Sequence, residues 1–325
     1  MSKTVVVTGA FGRVGSRTVS HLLRAGHRVI AVDIKNPRSE GAAAVLDKRV
    51  EVVWGNICDR DLWPELLPRT DAVVHLAAII PPVVDQQPDL AIAVNQTATC
   101  QLVDAMEASD SAKRLIFASS MVVSGHEQHE RTPPLRANEP TNPTDLYSKT
   151  KVAGEERIQK STLRWSILRL AVVVPGELKL NDTTHMDAMF DASPDGRFEA
   201  VHEDDAGLAF ANAVDCEEAT GHILYIGGGG SCQTTVLDFY NRMLGAIGLG
   251  PMKVSSLRPG EPYFYGDWLD TEESQKLLQF QRHSIDDIIT SMRRSVGPLR
   301  YLLTLASPLI TWKLERRSPH RRAKA

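Results

Sequence analysis

The chain has 325 residues, with 37 basic and 40 acidic side chains and a net charge of −3. That is enough for one large domain or two intimate ones, and too evenly charged for a nucleic-acid surface over the main body. Cys58, Cys100, Cys216 and Cys232 form no CxxC pair, no apolar run reaches membrane-spanning length, and the first strand begins near Lys3 without a signal-peptide pattern. The expectation is a protein of the reducing cytoplasm.

The apolar run at residues 4–7 leads into Thr8-Gly9-Ala10-Phe11-Gly12-Arg13-Val14-Gly15. This reads as a strand, a glycine-rich turn and the first turn of a helix, which presents backbone N–H groups and a positive helix end to a pyrophosphate. Gly9 permits the turn, Gly12 lets the backbone approach phosphate, and Gly15 lets helix and strand pack closely. A second strand at 28–32 ends on Asp33, 18 residues after Gly15, where a carboxylate can accept from ribose hydroxyls and so favours NAD. Arg13, Lys35 and Arg38 near that end keep NADP as the alternative.

Further strand-like runs follow at 50–54, 72–76, 114–118 and 165–170, with helical stretches at 14–25, 91–107 and 146–159. The βαβ rhythm, with strands apolar on both faces, predicts a doubly wound parallel sheet with a smaller, interwoven C-terminal substrate lobe. The expected division is a dinucleotide-binding part at 1–175, to which 201–226 returns, a substrate lobe at 176–200 and 227–298, and a tail at 299–325. Gly227–Gly230 reads as a loop, because no basic residue follows at phosphate-loop spacing.

Tyr147 and Lys151 lie four apart on one helical face, and none of the other tyrosines has a lysine at that spacing. A neighbouring ammonium is expected to lower the tyrosine pKa from about 10, which suits acid–base work. Ser120 closes a strand, where a hydroxyl can meet a substrate oxygen, and Ser119 competes for the role. No His/Asp/Glu cluster has metal-ligand spacing, so no metal is expected.

In these motifs the chain resembles the extended short-chain dehydrogenase/reductases, the NAD-dependent epimerase/dehydratase family. Thr8, Gly9, Gly12 and Gly15 match its TGxxGxxG. Asp33 matches its second-strand acid. Asn56-Ile57 resembles an adenine-contacting Asp-Ile pair, with Asn in place of the acid. Leu76, Ala77 and Ala78 match small residues passing the cofactor, and Asn95 resembles a helix asparagine that supports the site. Ser120, Tyr147 and Lys151 take the catalytic positions. Leu170 replaces the proline of a strand-end "LRP", and residues 201–206 and 221–228 resemble "VHVDDxA" and "GxxYNxGG". The resemblance implies a Rossmann fold and a homodimer. It also implies cofactor contacts from Gly9, Phe11, Gly12, Arg13, Val14, Gly15, Asp33, Asn56, Ile57, Leu76, Ala77, Ala78, Asn95, Tyr147 and Lys151.

The same triad serves several reactions. Dehydratases of the family carry Asp-Glu after the catalytic Ser/Thr, whereas this chain has Met121-Val122, so dehydration is not expected. The 20 residues between Gly176 and Arg197 hold Lys179 against Glu177, Asp182, Asp187, Asp191 and Asp195, a poor partner for a diphosphate. Met121, Val122, Leu170 and Val172, with Met186 and Met189, suggest an apolar wall. The reading is therefore hydride transfer between nicotinamide and a small or hydrophobic alcohol or ketone. A nucleotide-sugar epimerase is the alternative, and a non-catalytic NAD sensor is a third. In the tail, apolar residues 299–314 precede Arg316, Arg317, Arg321, Arg322 and Lys324. Pro308 should break any single long helix. The tail reads either as a docked helix with a basic end or as a foot on an anionic membrane surface.

Overall fold

The computed structural model describes residues 2–125, 131–178, 188–257, 266–318 and 320. The first strands are β1 (Thr4–Thr8), β2 (Arg28–Asp33), β3 (Glu51–Trp54), β4 (Ala72–His75), β5 (Arg114–Ser120) and β6 (Arg164–Leu170). Between them run α1 (Arg13–Arg24), α2 (Pro37–Ala44), α3 (Leu62–Leu66), α4 (Val83–Gln86), α5 (Pro88–Ala91), a π-helical segment Ile92–Ala98, α6 (Thr99–Ala108) and α7 (Leu146–Gln159). Strand β7 (Val172–Val174) leaves the end of β6. Then come β8 (Arg197–His202), α8 (Glu203–Ala213), β9 (Ile223–Ile226), β10 (Gln233–Thr235), α9 (Val236–Ala246), α10 (Glu272–Leu278), α11 (Ile285–Val296) and α12 (Leu299–Arg317).

Seven strands form one parallel sheet in the order β3-β2-β1-β4-β5-β6-β9, the expected doubly wound α/β arrangement. The reversal at β1/β4 opens a crevice beyond the strands' carboxyl ends, where such sheets take ligands. Central strands are buried on both faces: Val5, Val6, Val7, Val73 and Val74 have no exposed surface. In α1, Gly15, Thr18, Val19, Leu22 and Leu23 are buried at helical spacing, which seats it on the sheet.

A second, three-stranded sheet, β10-β8-β7, starts the smaller lobe, whose core joins Phe190, Phe198, Phe239, Tyr240, Ile288 and Met292. The chain then returns: β9 pairs with β6, and α8 packs on α1, with Arg17 Nη2 2.6 Å from Glu203 and His21 Nε2 3.1 Å from Asp204.

The tail departs from expectation. Helix α12 runs unbroken through Pro308. Proline removes one backbone donor, but docking of the inner face holds the helix together. Gly250 N donates to Ser307 Oγ at 2.8 Å, Lys253 Nζ donates to the buried Glu315 carboxylate at 3.2 Å, and Ser318 Oγ donates to Ser256 O at 2.6 Å. Among the described residues no helix is long and apolar enough to cross a membrane.

Candidate active site

The glycine loop is shaped by close approach. Gly9 has φ +65°, and a Cβ there would lie 2.8 Å from Ala77 N; a Cβ on Gly15 would lie 2.1 Å from Gly9 O. The β1 and β4 ends are tied by Thr8 Oγ1, which accepts from Leu76 N and Ala77 N at 3.2 and 3.3 Å. Helix α1 begins at Gly12 with no side-chain cap and no acid in its first turn. An uncapped positive helix end beside half-buried Gly12, Arg13 and Val14 suits a pyrophosphate.

Asp33 stands at the next strand end. Its Oδ2 accepts from Phe11 N at 2.9 Å and its Oδ1 from Ile34 N at 2.8 Å. Burial raises its pKa, while the Phe11 and Ile34 N–H groups and Arg38 oppose the rise. The carboxylate is thus fixed where it can accept from ribose hydroxyls and repel a 2′-phosphate. Trp54, which sequence reading passed over, ends β3 opposite Asp33 in register and meets the Phe11 ring at 5.2 Å. Its only signal was an aromatic at the carboxyl end of a parallel strand. Asn56 is exposed and its Oδ1 accepts from Cys58 N, while Ile57 is buried in the core.

Asp145 and Ser148 form a capping box that fixes where α7 starts: Ser148 N donates to Asp145 Oδ1 at 2.9 Å and Asp145 N to Ser148 Oγ at 3.1 Å. Tyr147 and Lys151 therefore face the end of β5 together. The Ser120 hydroxyl lies on the Tyr147 side, close enough to favour the phenolate. Ser119, one residue away on the strand, points to the other side and donates to Glu155 Oε1 at 2.5 Å. Alternation along the strand puts Ser119 against Glu155 and Ser120 on the Tyr147 side.

Lys151 is buried, donates from Nζ to Ala118 O at 2.9 Å and lies over the Phe117 ring at 5.0 Å, 5.8 Å from the Tyr147 ring. Burial lowers its pKa to about 8, against an upward pull from Glu155. The expected lowering of the Tyr147 pKa is not what this geometry gives. Burial raises it, Asp145 adds to the rise, and the Ser120 hydroxyl opposes it. Desolvation is the largest of these effects.

Asn95 sits in the π-helical turn, its amide bonded twice to Ile79: Ile79 N donates to Oδ1 at 2.7 Å and Nδ2 donates to Ile79 O at 2.8 Å. Nδ2 also reaches Thr150 Oγ1 at 3.3 Å, so Asn95 joins the loop carrying Ala77 and Ala78 to the helix carrying Tyr147 and Lys151. His75 is clamped between Thr8 Oγ1 at 2.7 Å and Thr99 Oγ1 at 3.0 Å, and burial, with Lys151 second, pushes its pKa down to about 3. It is a neutral structural link.

Of the expected apolar wall, Met121 and Val122 are buried in the main core, while Leu170 and Val172 are half-buried. Met186 and the Met189 side chain lie outside the described residues, as do Lys179, Asp182 and Asp187. A cavity of about 480 Å³ lined by Pro134, Gly229, Gln233, Trp268, Thr271 and Gln281 contains no member of the triad.

With Ser120, Tyr147 and Lys151 converging beside a cradle for a dinucleotide, the likeness to known proteins becomes specific. The sequence matches the NAD dependent epimerase/dehydratase family over residues 5–190. The chain belongs to that family. NAD, the family's cofactor, fits the uncapped α1 and the fixed Asp33 carboxylate.

Among curated relatives, UDP-glucose 4-epimerase 4 of Oryza sativa is 33% identical over 192 residues, 54% of this chain and 50% of the relative. Human UDP-glucose 4-epimerase is 29% identical over 252 residues, 70% of each chain. The chain spans about half the length of the first relatives it matches. Two solved structures share the fold. The UDP-glucuronic acid 4-epimerase from Bacillus cereus has a TM-score of 0.74 at 22% identity, covering 91% of this chain and 99% of that one. The UDP-glucose-4-epimerase from Stenotrophomonas maltophila has a TM-score of 0.75 at 21% identity, covering 94% and 99%. The curated relatives, UDP-glucose 4-epimerases by name, stand nearer the nucleotide-sugar alternative than the hydrophobic alcohol–ketone reading.

Two contacts had no sequence signal. Glu155 and Arg169 form a buried bidentate pair at 2.7 and 2.9 Å under the serine strand. His202, Asp205 and His283 also come together where the end of β8 and the first turn of α8 meet the segment before α11. There Asp205 accepts from Arg282 N and His283 N at 3.0 Å each and lies 2.6 Å from His283 Nδ1, and the two imidazoles stack at 4.0 Å. The carboxylate is engaged in clamping the lobe.

Proposed function

We propose that the chain is an NAD-dependent epimerase that inverts one secondary carbinol of a nucleoside diphosphate sugar. The observation that carries this reading is the 252-residue alignment with a UDP-glucose 4-epimerase. It is longer than the glycine-loop half of the chain and so extends into the substrate lobe. The complete Ser120–Tyr147–Lys151 set supports a catalytic role over a sensor.

NAD, when bound, supplies the acceptor and donor of hydride. Tyr147 takes the proton from the substrate hydroxyl as the carbon–oxygen bond becomes a carbonyl, and returns it when the carbonyl is reduced on its other face. Ser120 holds the same oxygen in both directions by a hydrogen bond, keeping it within reach of Tyr147. A buried tyrosine ionises reluctantly, so the Lys151 ammonium nearby lowers the cost of the phenolate. Met121 and Val122, buried in the core, offer no acid or base for eliminating water.

Half-buried Leu170 and Val172 favour a second reading, in which hydride passes to or from a hydrophobic alcohol–ketone pair. Incubation with UDP-sugars and with a panel of hydrophobic ketones separates the two. The proposal expects interconversion of a UDP-sugar pair with no net change at the nicotinamide absorbance band. Turnover of ketones with consumption of NADH, and none of the sugars, overturns it.

A further inference from the structure

Helix α12 is apolar on the side that should be polar. Its inner residues, including Leu303, Ser307, Ile310 and Leu314, are partly or fully buried against the lobe. Directly opposite, Leu302, Leu305, Leu309 and Trp312 form an outward stripe at helical spacing, with Tyr301 at its edge. Leu302 is 63% and Leu305 81% exposed. A surface helix ordinarily turns charged residues outward, and a contiguous apolar stripe of about 15 Å marks a contact surface.

Charge states what the contact is. Residues 299–325 contain seven Lys and Arg against one Glu, +6 within a chain of net −3, which leaves −9 for the rest. The single acid, Glu315, is buried and bonded to Lys253, so the outer face of α12 carries no anion. The aromatic residues at the two ends of the stripe each hold a cation: Arg300 lies 4.7 Å over the Tyr301 ring and Arg316 4.2 Å over Trp312. Leucines with an aromatic–cation pair at each end of the stripe offer one lipid surface both apolar and cationic contacts.

We infer that the outward apolar face of α12 is a foot that seats this protein in the plane of an anionic lipid surface. The leucines enter the acyl boundary, Tyr301 and Trp312 lie at the headgroup level, and Lys313 and Arg316 meet lipid phosphates. A second copy is the weaker occupant. A two-fold contact sets the same patch against itself, bringing cation to cation with no acid between.

Co-sedimentation of the full chain with phosphatidylglycerol-containing vesicles and with phosphatidylcholine vesicles tests this. The wild type should bind the anionic vesicles and not the neutral ones, less strongly as salt rises. Leu305→Glu/Leu309→Glu and Lys313→Glu/Arg316→Glu should each weaken binding about tenfold or more. Both pairs face outward, so circular dichroism and melting temperature should stay at wild-type values. Vesicles should also shift Trp emission to the blue, a shift that Trp312→Phe diminishes. Absent binding, or equal binding by wild type and both double variants, overturns the inference. So does a lipid-free dimer in sedimentation velocity that Leu305→Glu/Leu309→Glu dissolves, because a second copy would then cover the stripe.

Discussion

Replacing Lys151 by Met should stabilise the cofactor-free fold while removing activity. The ammonium is 3% exposed, has one acceptor in Ala118 O, and has its pKa lowered by burial from 10.5 to about 8. That gap corresponds to about 3 kcal/mol of folding free energy that the charged form costs. Methionine fills a similar volume but gives up the hydrogen bond to Ala118 O, worth about 1–1.5 kcal/mol. Lys151→Met should therefore gain about 1–2 kcal/mol near pH 7. The pH dependence is the sharper test. A lysine whose folded pKa lies below its unfolded one holds its proton more tightly when unfolded. Its full cost is present below about pH 8 and fades as pH rises toward 10.5. Urea unfolding of both proteins at about pH 7 and about pH 10 should show the wild type gaining about 2 kcal/mol relative to Lys151→Met, since groups common to both cancel. Parallel stabilities at the two pH values, or a less stable Lys151→Met near pH 7, would refute the reasoning.

Tyr147→Phe keeps the ring and removes the exchangeable proton, so turnover should fall about 100-fold or more while calorimetric binding of NAD persists. Asp33→Ala removes the carboxylate bonded to Phe11 N and Ile34 N, and titrations should show weaker NAD binding and a smaller preference over NADP. Glu155→Gln leaves the Arg169 guanidinium buried without its counter-charge, which should cost about 3–5 kcal/mol in denaturant unfolding. Gly15→Ala sets a Cβ 2.1 Å from Gly9 O, and its thermal midpoint and NAD affinity should both drop well below wild type.

The sequence by itself determined what depends on local spacing. Apolar runs separated by helical stretches specified the parallel α/β order, the glycines of residues 9–15 specified the turn into α1, and the four-residue step put Tyr147 and Lys151 on one face. Each is a property of neighbours along the chain, written in period and residue type. The tertiary structure alone decided what depends on distant neighbours. Strand alternation turned Ser120 to Tyr147 and Ser119 to Glu155, but only because α7 lies across the end of β5. Burial, which local spacing does not express, raised the Tyr147 pKa where the four-residue spacing suggested a fall. Trp54 meets Phe11, Asn95 meets Ile79, and Arg169 meets Glu155 through contacts 14 to 43 residues apart. Pro308 should have ended α12, yet packing against the lobe holds the helix, because a docked face outweighs one missing backbone bond.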